Sequence, residues 1–217
     1  MNLLCVLARV PSPGTGKSRL RVRLGDAVTD RLARAFLEDV LDWSGTSADE
    51  VLVAHEGPAA LLPPCGPAPC HLLRQLPGDL GVRIAAAVDA GFARGASRVV
   101  IIGTDCPTLP ADILQDAFAG LTHAGSTLVP ATDGGWIALG VNRPLWAALD
   151  GVAWSTELTG GQTIAALQAD GRPPLVLPAW YDVDEPADLD RIRGDPGSLA
   201  RAPRTCAALG AMAVGAR

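Results

Sequence analysis

The feature that most limits the fold of this chain is a set of short, almost wholly apolar runs separated by amphipathic segments. LLCVLA (residues 3–8), VLVAH (51–55) and VVIIG (99–103) are five or six residues long and carry almost no charge. Runs of that length, without alternation, are strands buried on both faces, as in a parallel sheet. The segments between them repeat differently. Val28, Leu32, Phe36 and Val40 recur every four residues, which predicts an amphipathic helix from Asp26 to Trp43. Ile84, Val88 and Phe92 mark another over Leu80 to Ala93, and Ala111 to Leu121 reads as a third. Strands are expected at 127–130 and 136–141, a helix near 162–169, a short strand at 175–177, and a last helix over 186–192 with Pro186 in its first turn. Residues 57 to 70 are rich in Pro and Gly and read as loop.

Strand and helix alternate through most of the chain, so the fold class expected is α/β. It is a single Rossmann-like domain over residues 1–193, a mostly parallel mixed sheet with helices on both faces. Residues 194–217 turn to Ala, Gly, Arg and Pro without clear period and read as a poorly ordered C-terminal extension. With 217 residues, 48% of them hydrophobic, the chain can fill one sizeable core. The net charge of −5 leaves no general basic field, which argues against a nucleic-acid partner but not against a small phosphorylated ligand. No apolar stretch approaches the ~20 residues of a membrane span, and the apolar start is too short for a secretion signal. Five scattered cysteines suggest reduced thiols and a cytoplasmic location; Cys65 and Cys70, close together in the Pro-rich loop, form at most half a zinc site.

In sheets of this class ligands bind beyond the carboxyl ends of the strands, so the residues that follow strands carry the functional reading. After the first strand stands VPSPGTGKSRL, residues 10–20. Its end imitates a P-loop, but Pro11 occupies the place of the first glycine. Pro11 and Pro13 also lack the N–H groups that cradle phosphate. Gly14 and Gly16 still permit a close backbone approach, and Lys17 and Arg19 sit where phosphates are held. Arg21 and Arg23 read as a solvated basic face.

Three acidic motifs follow other strands. In GTDCP (103–107), Asp105 is placed for Mg²⁺ or Mn²⁺ carrying a diphosphate, or else for capping the next helix. PATDGGW (130–136) is a tight hairpin turn or a surface for a sugar or base. In YDVDEPADL (181–189), Asp182 and Asp184 alternate, so one faces the crevice unless both serve the helix at Pro186. Gly78, Asp79 and Gly81 with Arg83 either hold a base or sugar hydroxyls or form another cap and turn. No Ser–His–Asp set is apparent among the three histidines, which gives covalent catalysis no support.

Taken in order, LARVPSPGTGKSRL, QLPGDLGVR, IIGTDCPTL, LVPATDGGWIALGV, WST and YDVDEPADL resemble a bacterial family of glycosyltransferase A-type, nucleotide-diphospho-sugar-transferase-like proteins. Some of its members are labelled arsenosugar-biosynthesis or selenium-associated glycosyltransferases. The resemblance spans residues 3 to 192 and extends, more distantly, to nucleotidyltransferases of the molybdenum-cofactor, sugar-acid and phospholactate types. It implies a glycosyltransferase A-type domain that binds a nucleoside phosphate through Mg²⁺ or Mn²⁺. Asp105 and Asp184 would hold the metal. Arg9, Pro13, Gly14, Lys17, Arg19, Gly78, Asp79 and Arg83 would hold the nucleotide and phosphates, with Lys17 also contributing to catalysis. Asp133 would be the acceptor-side base, and Gly134, Gly135 and Trp136 would line the acceptor. The chain departs from the pattern at Arg9, where a Lys is usual, and at Trp136, where a Tyr is usual. The implied reaction is glycosyl transfer from a nucleotide-diphospho-sugar to a small acceptor. The alternative joins a nucleoside triphosphate to a phosphorylated small molecule and releases pyrophosphate.

Overall fold

A computed structural model describes residues 1–145 and 147–214. The first strand, β1 (Asn2–Arg9), leads through the proline-stiffened loop into a short helix, α1 (Ser18–Leu24), and then α2 (Asp26–Ser47). There follow β2 (Glu50–Glu56), β3 (Cys70–Arg74), α3 (Leu80–Ala93), β4 (Arg98–Ile102), α4 (Ala111–Gly120), β5 (Ser126–Pro130) and β6 (Trp136–Val141). The chain continues with α5 (Thr159–Ala169), β7 (Pro174–Val176), α6 (Pro186–Gly194), α7 (Ser198–Arg201) and α8 (Pro203–Val214). The seven strands form one sheet in the order β3-β2-β1-β4-β6-β5-β7. Only β6 runs against its neighbours β4 and β5; the other pairs are parallel. The expected α/β class and mostly parallel mixed sheet are therefore present.

Alternation of side chains along the central strands explains the two-sided burial. Leu4, Val6, Val100 and Ile102 face one cluster with Leu37, Leu41 and Phe118 of α2 and α4. Leu3, Cys5, Val99 and Ile101 face the other, with Ile84 and Val88 of α3 and Leu167 of α5. A continuous apolar strand is the sequence form that a sheet covered on both faces requires.

Several readings need correction. β3 begins at the last residue of the segment expected to be loop and runs through residues that the sequence assigns to no element, and α1 forms where no helix is expected. β3 is an edge strand that pairs only with β2, and its exposed Leu72 weakens the apolar signal. The C-terminal segment is not loose. Through residue 214 it contains α7 and α8, and Ala208 and Leu209 enter a third cluster with Leu20, Phe36, Tyr181 and Val183. Buried Asp39 of α2 anchors α8 by accepting from the backbone N–H groups of Arg204 (3.1 Å) and Thr205 (2.8 Å). That cap on a buried acid holds the segment together with the few apolar contacts of Ala208 and Leu209, a pattern too sparse to read as an amphipathic period. Residues 215–217 lie outside the described residues. The cysteines also depart from expectation: Cys65 and Cys70 form a disulfide, while Cys5, Cys106 and Cys206 are free thiols. The Pro-rich loop folds back onto α2, with Gly66 N–H donating to Leu41 O and Ala68 N–H to Gly45 O, which brings Cys65 to the start of β3. Among the described residues no helix is long and apolar enough to cross a membrane.

Candidate functional site

The carboxyl ends of β1 and β4 are neighbours in the sheet, and the loops leaving them meet the segment that enters α6. Val183 N–H donates to Asp105 O (2.8 Å), which joins the β4 loop to the YDVD stretch. The Thr108 hydroxyl donates to the Tyr181 hydroxyl (3.1 Å), a second tie between the same two segments. Thr132 N–H donates to Trp180 O, bringing the β5–β6 hairpin to that group. These contacts gather Asp105, Asp133, Asp182 and Asp184 around one crevice.

Lys17 stands at its centre. Its ammonium lies 2.8 Å from Asp105 Oδ1, 2.9 Å from Asp184 Oδ1 and 2.7 Å from Val183 O. The side chain is 9% exposed, and its ammonium lies 5.7 Å from the Phe36 ring centroid. Burial alone would lower the pKa of Lys17, but the carboxylates of Asp105 and Asp184 outweigh it and hold it above the ordinary lysine value. The backbone at Lys17 is left-handed, φ 46° and ψ 46°, a conformation that costs a non-glycine residue about 1–2 kcal/mol. Charge-assisted hydrogen bonds to Val183 O and Asp184, with the Asp105 ion pair, offset that strain. The lysine expected to face phosphate therefore has its first partners inside the protein. Arg19 remains outside, 66% exposed, in a 3.3 Å surface pair with Glu185.

Arg21 is not a solvated side chain. Its guanidinium donates to Gly16 O, Thr15 O, Asp26 and Asp30, and the Asp30 carboxylate also accepts from Gly14 N–H. The hydrogen bond from Arg21 holds the Asp30 carboxyl below its usual range. Arg21 thus shapes the loop from below, by occupying its carbonyls. Pro13 and Gly14 sit on the exposed outer bend of that loop.

The other acids behave differently from one another. Asp182 is pushed up to about 6, first by burial and then by the charges of Asp133 and Asp184. Asp133 is exposed, and its Oδ1 accepts from Gly135 N–H (2.9 Å) in the turn joining β5 to β6. Gly134 has φ 95°, and a Cβ there would collide with the backbone of Glu157. The freedom of that glycine serves the packing of the WST segment against the hairpin. Trp136 stands beside Trp154 in an edge-to-face pair with centroids 6.4 Å apart. Its indole Nε1 is buried with no hydrogen-bond partner among the described residues.

A second group lies at the ends of β1, β2 and β3. Glu56 accepts from Arg9 Nε (3.1 Å) and from Arg83 Nη1 (3.2 Å). Burial would raise the pKa of Glu56, yet the two guanidinium groups outweigh it and leave the carboxyl below its usual value. Arg83 Nε also donates to Gly78 O (3.1 Å), and Asp79 caps α3 by accepting from Val82 N–H (2.9 Å). His55, Glu56, Arg74, Gln75, Pro77 and Arg83 line a cavity of about 480 Å³ there. Glu56, His55 and Gln75 are not among the residues the sequence singles out. Glu56 has a signal, as the residue ending the second apolar strand; Gln75 has none, because it follows an edge strand that the sequence does not mark.

The donor set suits a hard divalent cation at Asp105 and Asp184. Both are carboxylates, and a cation, the Lys17 ammonium, already stands between them. Among the described residues no group of three or more His, Cys, Asp or Glu side chains converges as a metal cage, so a metal at this point would have two side-chain ligands at most.

The fold and the crevice define an α/β protein of the nucleotide-diphospho-sugar transferase fold. The chain belongs to the family described as "Uncharacterized protein conserved in bacteria (DUF2064)", which matches residues 37–156. It is similar in structure to a protein of Desulfovibrio desulfuricans G20 provisionally described as a nucleotide-diphospho-sugar transferase. The TM-score is 0.79 at 27% identity, over 96% of this chain and 93% of that one. The 2-C-methyl-D-erythritol 4-phosphate cytidylyltransferase of Thermus thermophilus shares the fold at TM-score 0.50 and 16% identity, over 91% of this chain and 97% of that one. A 4-diphosphocytidyl-2C-methyl-D-erythritol synthase does so at 0.52 and 14%, over 88% and 97%. No curated protein matches the chain. The resemblance to nucleotide-diphospho-sugar-transferase-like proteins read from the motifs holds.

Proposed function

We propose that this protein is a transferase that uses a nucleotide-activated donor, and that the group it moves is a sugar from a nucleoside diphosphate to a small acceptor. The observation that carries this reading is the convergence of Asp105, Asp184 and Lys17 at the ends of β1 and β4, the crevice position where sheets of this class bind their ligands. The likeness to the Desulfovibrio protein over nearly the whole chain supports it.

In this reading Asp105 and Asp184 would hold Mg²⁺ or Mn²⁺. The metal would supply positive charge against the leaving diphosphate. The base and ribose would lie in the cavity between Glu56, Gln75 and Arg83, beyond Gly78 and Asp79. Arg9 and Arg19 would face phosphate oxygens, adding fixed positive charge where negative charge develops. On the acceptor side, Asp133 keeps one carboxylate oxygen free of the turn and would take the proton of the attacking hydroxyl. Trp136, Gly134 and Gly135 would form the wall beside it.

The test is a product assay. The protein is incubated with a panel of nucleotide-diphospho-sugars and, separately, nucleoside triphosphates, each with Mn²⁺ and candidate small acceptors. Release of nucleoside diphosphate from one sugar nucleotide supports glycosyl transfer. Release of pyrophosphate from a triphosphate replaces it with nucleotidyl transfer.

A further inference from the structure

One residue in this crevice is unlike every other in the chain. Of the 18 basic residues, 17 are arginines, and Lys17 is the single lysine. The two cations are not interchangeable. A guanidinium is a broad planar fork, whereas an ammonium is a compact point charge with three donors. The Lys17 ammonium spends those donors on three oxygens of different origin, Asp105 Oδ1, Asp184 Oδ1 and Val183 O, at 2.7 to 2.9 Å. A small cation enclosed by two carboxylates and a carbonyl occupies the kind of oxygen seat that a hard divalent ion takes.

We propose that Lys17 is a displaceable internal cation: it holds the seat of the divalent metal while no donor is bound and yields that seat when metal and diphosphate arrive together. The inference rests on the reading of this crevice as the donor site and adds the exchange, with Val183 O as a third ligand atom.

Charge sets the direction of the exchange. Two carboxylates with one ammonium leave a residual charge of −1 (−2 + 1), while a divalent ion neutralises the pair and is attracted about twice as strongly at equal distance. The seat is also reachable. Lys17 is buried, but the side chains of Asp105 and Asp184 are 53% and 40% exposed, so an ion approaches from the solvent side without disturbing the core. The loop before Lys17 is open to solvent on the side of Gly14 and Gly16, where added Cβ atoms would meet nothing within 4 Å. An ammonium displaced from two carboxylates needs another anion, and the diphosphate supplies it. Metal and nucleotide binding are therefore coupled through Lys17, and each strengthens the other by the same factor.

The test measures Mn²⁺ binding directly, by electron paramagnetic resonance of the free ion, with and without a nucleoside diphosphate. Wild-type protein is expected to bind Mn²⁺ weakly alone and at least about tenfold more tightly with nucleotide, within the usual range of such couplings. Lys17→Met is expected to bind Mn²⁺ alone at least about tenfold more tightly than wild type and to gain less from nucleotide than wild type does. A Lys17→Met protein that binds Mn²⁺ alone no more tightly than wild type overturns the exchange.

A second measurement needs no variant. With one lysine in the chain, reductive methylation read by mass spectrometry reports on Lys17 and the α-amino group alone. Methylation of Lys17 is expected to be slow in the free protein and faster only at Mn²⁺ concentrations high enough to fill the seat without nucleotide. An unchanged rate at saturating Mn²⁺ contradicts the proposal. If wild type binds the metal–nucleotide pair but both measurements are negative, only the exchange fails. If it binds neither metal nor nucleotide, the donor-site reading fails with it.

Discussion

Two charged groups sit on the same edge of the sheet, and they are built in opposite ways. At the ends of β1 and β4, one ammonium is enclosed by two carboxylates and a carbonyl, with Phe36 beneath it. At the ends of β1, β2 and β3, one carboxylate, Glu56, lies between two guanidinium groups at the mouth of an open cavity. The first is negative in excess and closed around its cation. The second is positive in excess and open. A metal-bound diphosphate linked to a base and sugar needs both characters side by side, one to hold the metal and one to receive the anionic and polar parts. The contrast also separates stability from binding. The enclosed group is continuous with the third core cluster, so its variants should disturb the fold or the chemistry strongly. The open group touches little core, so its variants should affect ligand binding first.

The largest expected effect comes from Asp105→Asn. Removing one of the two carboxylates that would hold the metal should lower transfer by at least ~10²-fold, in keeping with the several kcal/mol a metal's charge contributes. Thermal unfolding should shift little, since Asp105 is half exposed. Retained turnover in that variant would remove Asp105 from the metal site. Next is Phe36→Ala, at a side chain that is 1% exposed. It should cost about 3–5 kcal/mol of stability, as for other buried aromatics cut to alanine. A melting temperature lower by roughly 10 °C would register that loss. A neutral result would mean that the enclosed group does not depend on its floor.

Arg83→Ala reverses the order of effects. It should weaken nucleotide binding about tenfold while changing stability by less than ~1 kcal/mol, since its pairing with Glu56 is near the surface. Isothermal titration with the preferred nucleotide checks the first part and denaturant unfolding the second. Tyr181→Phe removes the hydroxyl that accepts from Thr108 and should cost about 1 kcal/mol, the net worth of one hydrogen bond. The smallest effect is a pH dependence at Glu56. Its pKa is lowered in the folded state, so the stability it contributes is present above the ordinary carboxylate range and is lost as pH falls through its folded value. Glu56→Gln should flatten the acid limb of the stability curve; an unchanged limb would assign that slope to other acids.

The same contrast shows what is legible in the sequence. Central strands buried on both faces cannot avoid a continuous apolar run, so β1, β2 and β4 are readable, and with them Asp105 as a residue at the crevice. The β3 edge strand, with alternate side chains in solvent, has no such signature, and Gln75 is lost with it. The direction of Lys17 is not legible either. Its spacing after a strand suits phosphate equally well, and only the fold brings Asp184, 167 residues away, to within 2.9 Å. Arg21 misleads for a related reason: several of its partners are loop carbonyls, which have no sequence identity. The helix α8 is hidden because much of its hold on the fold comes from a buried acid, Asp39, that caps its first turn.

The central claim, that this edge of the sheet holds a nucleotide-activated donor through a divalent metal, is tested most directly by thermal unfolding against nucleotide-diphospho-sugars and nucleoside triphosphates, each with Mn²⁺, Mg²⁺ or a chelator. A ligand at about a hundred times its Kd stabilises by ~2.7 kcal/mol, a rise of roughly 5–10 °C for a chain of this size. The account predicts that rise with one sugar nucleotide in the presence of metal and its loss with chelator. No rise with any nucleotide, with or without metal, would contradict it.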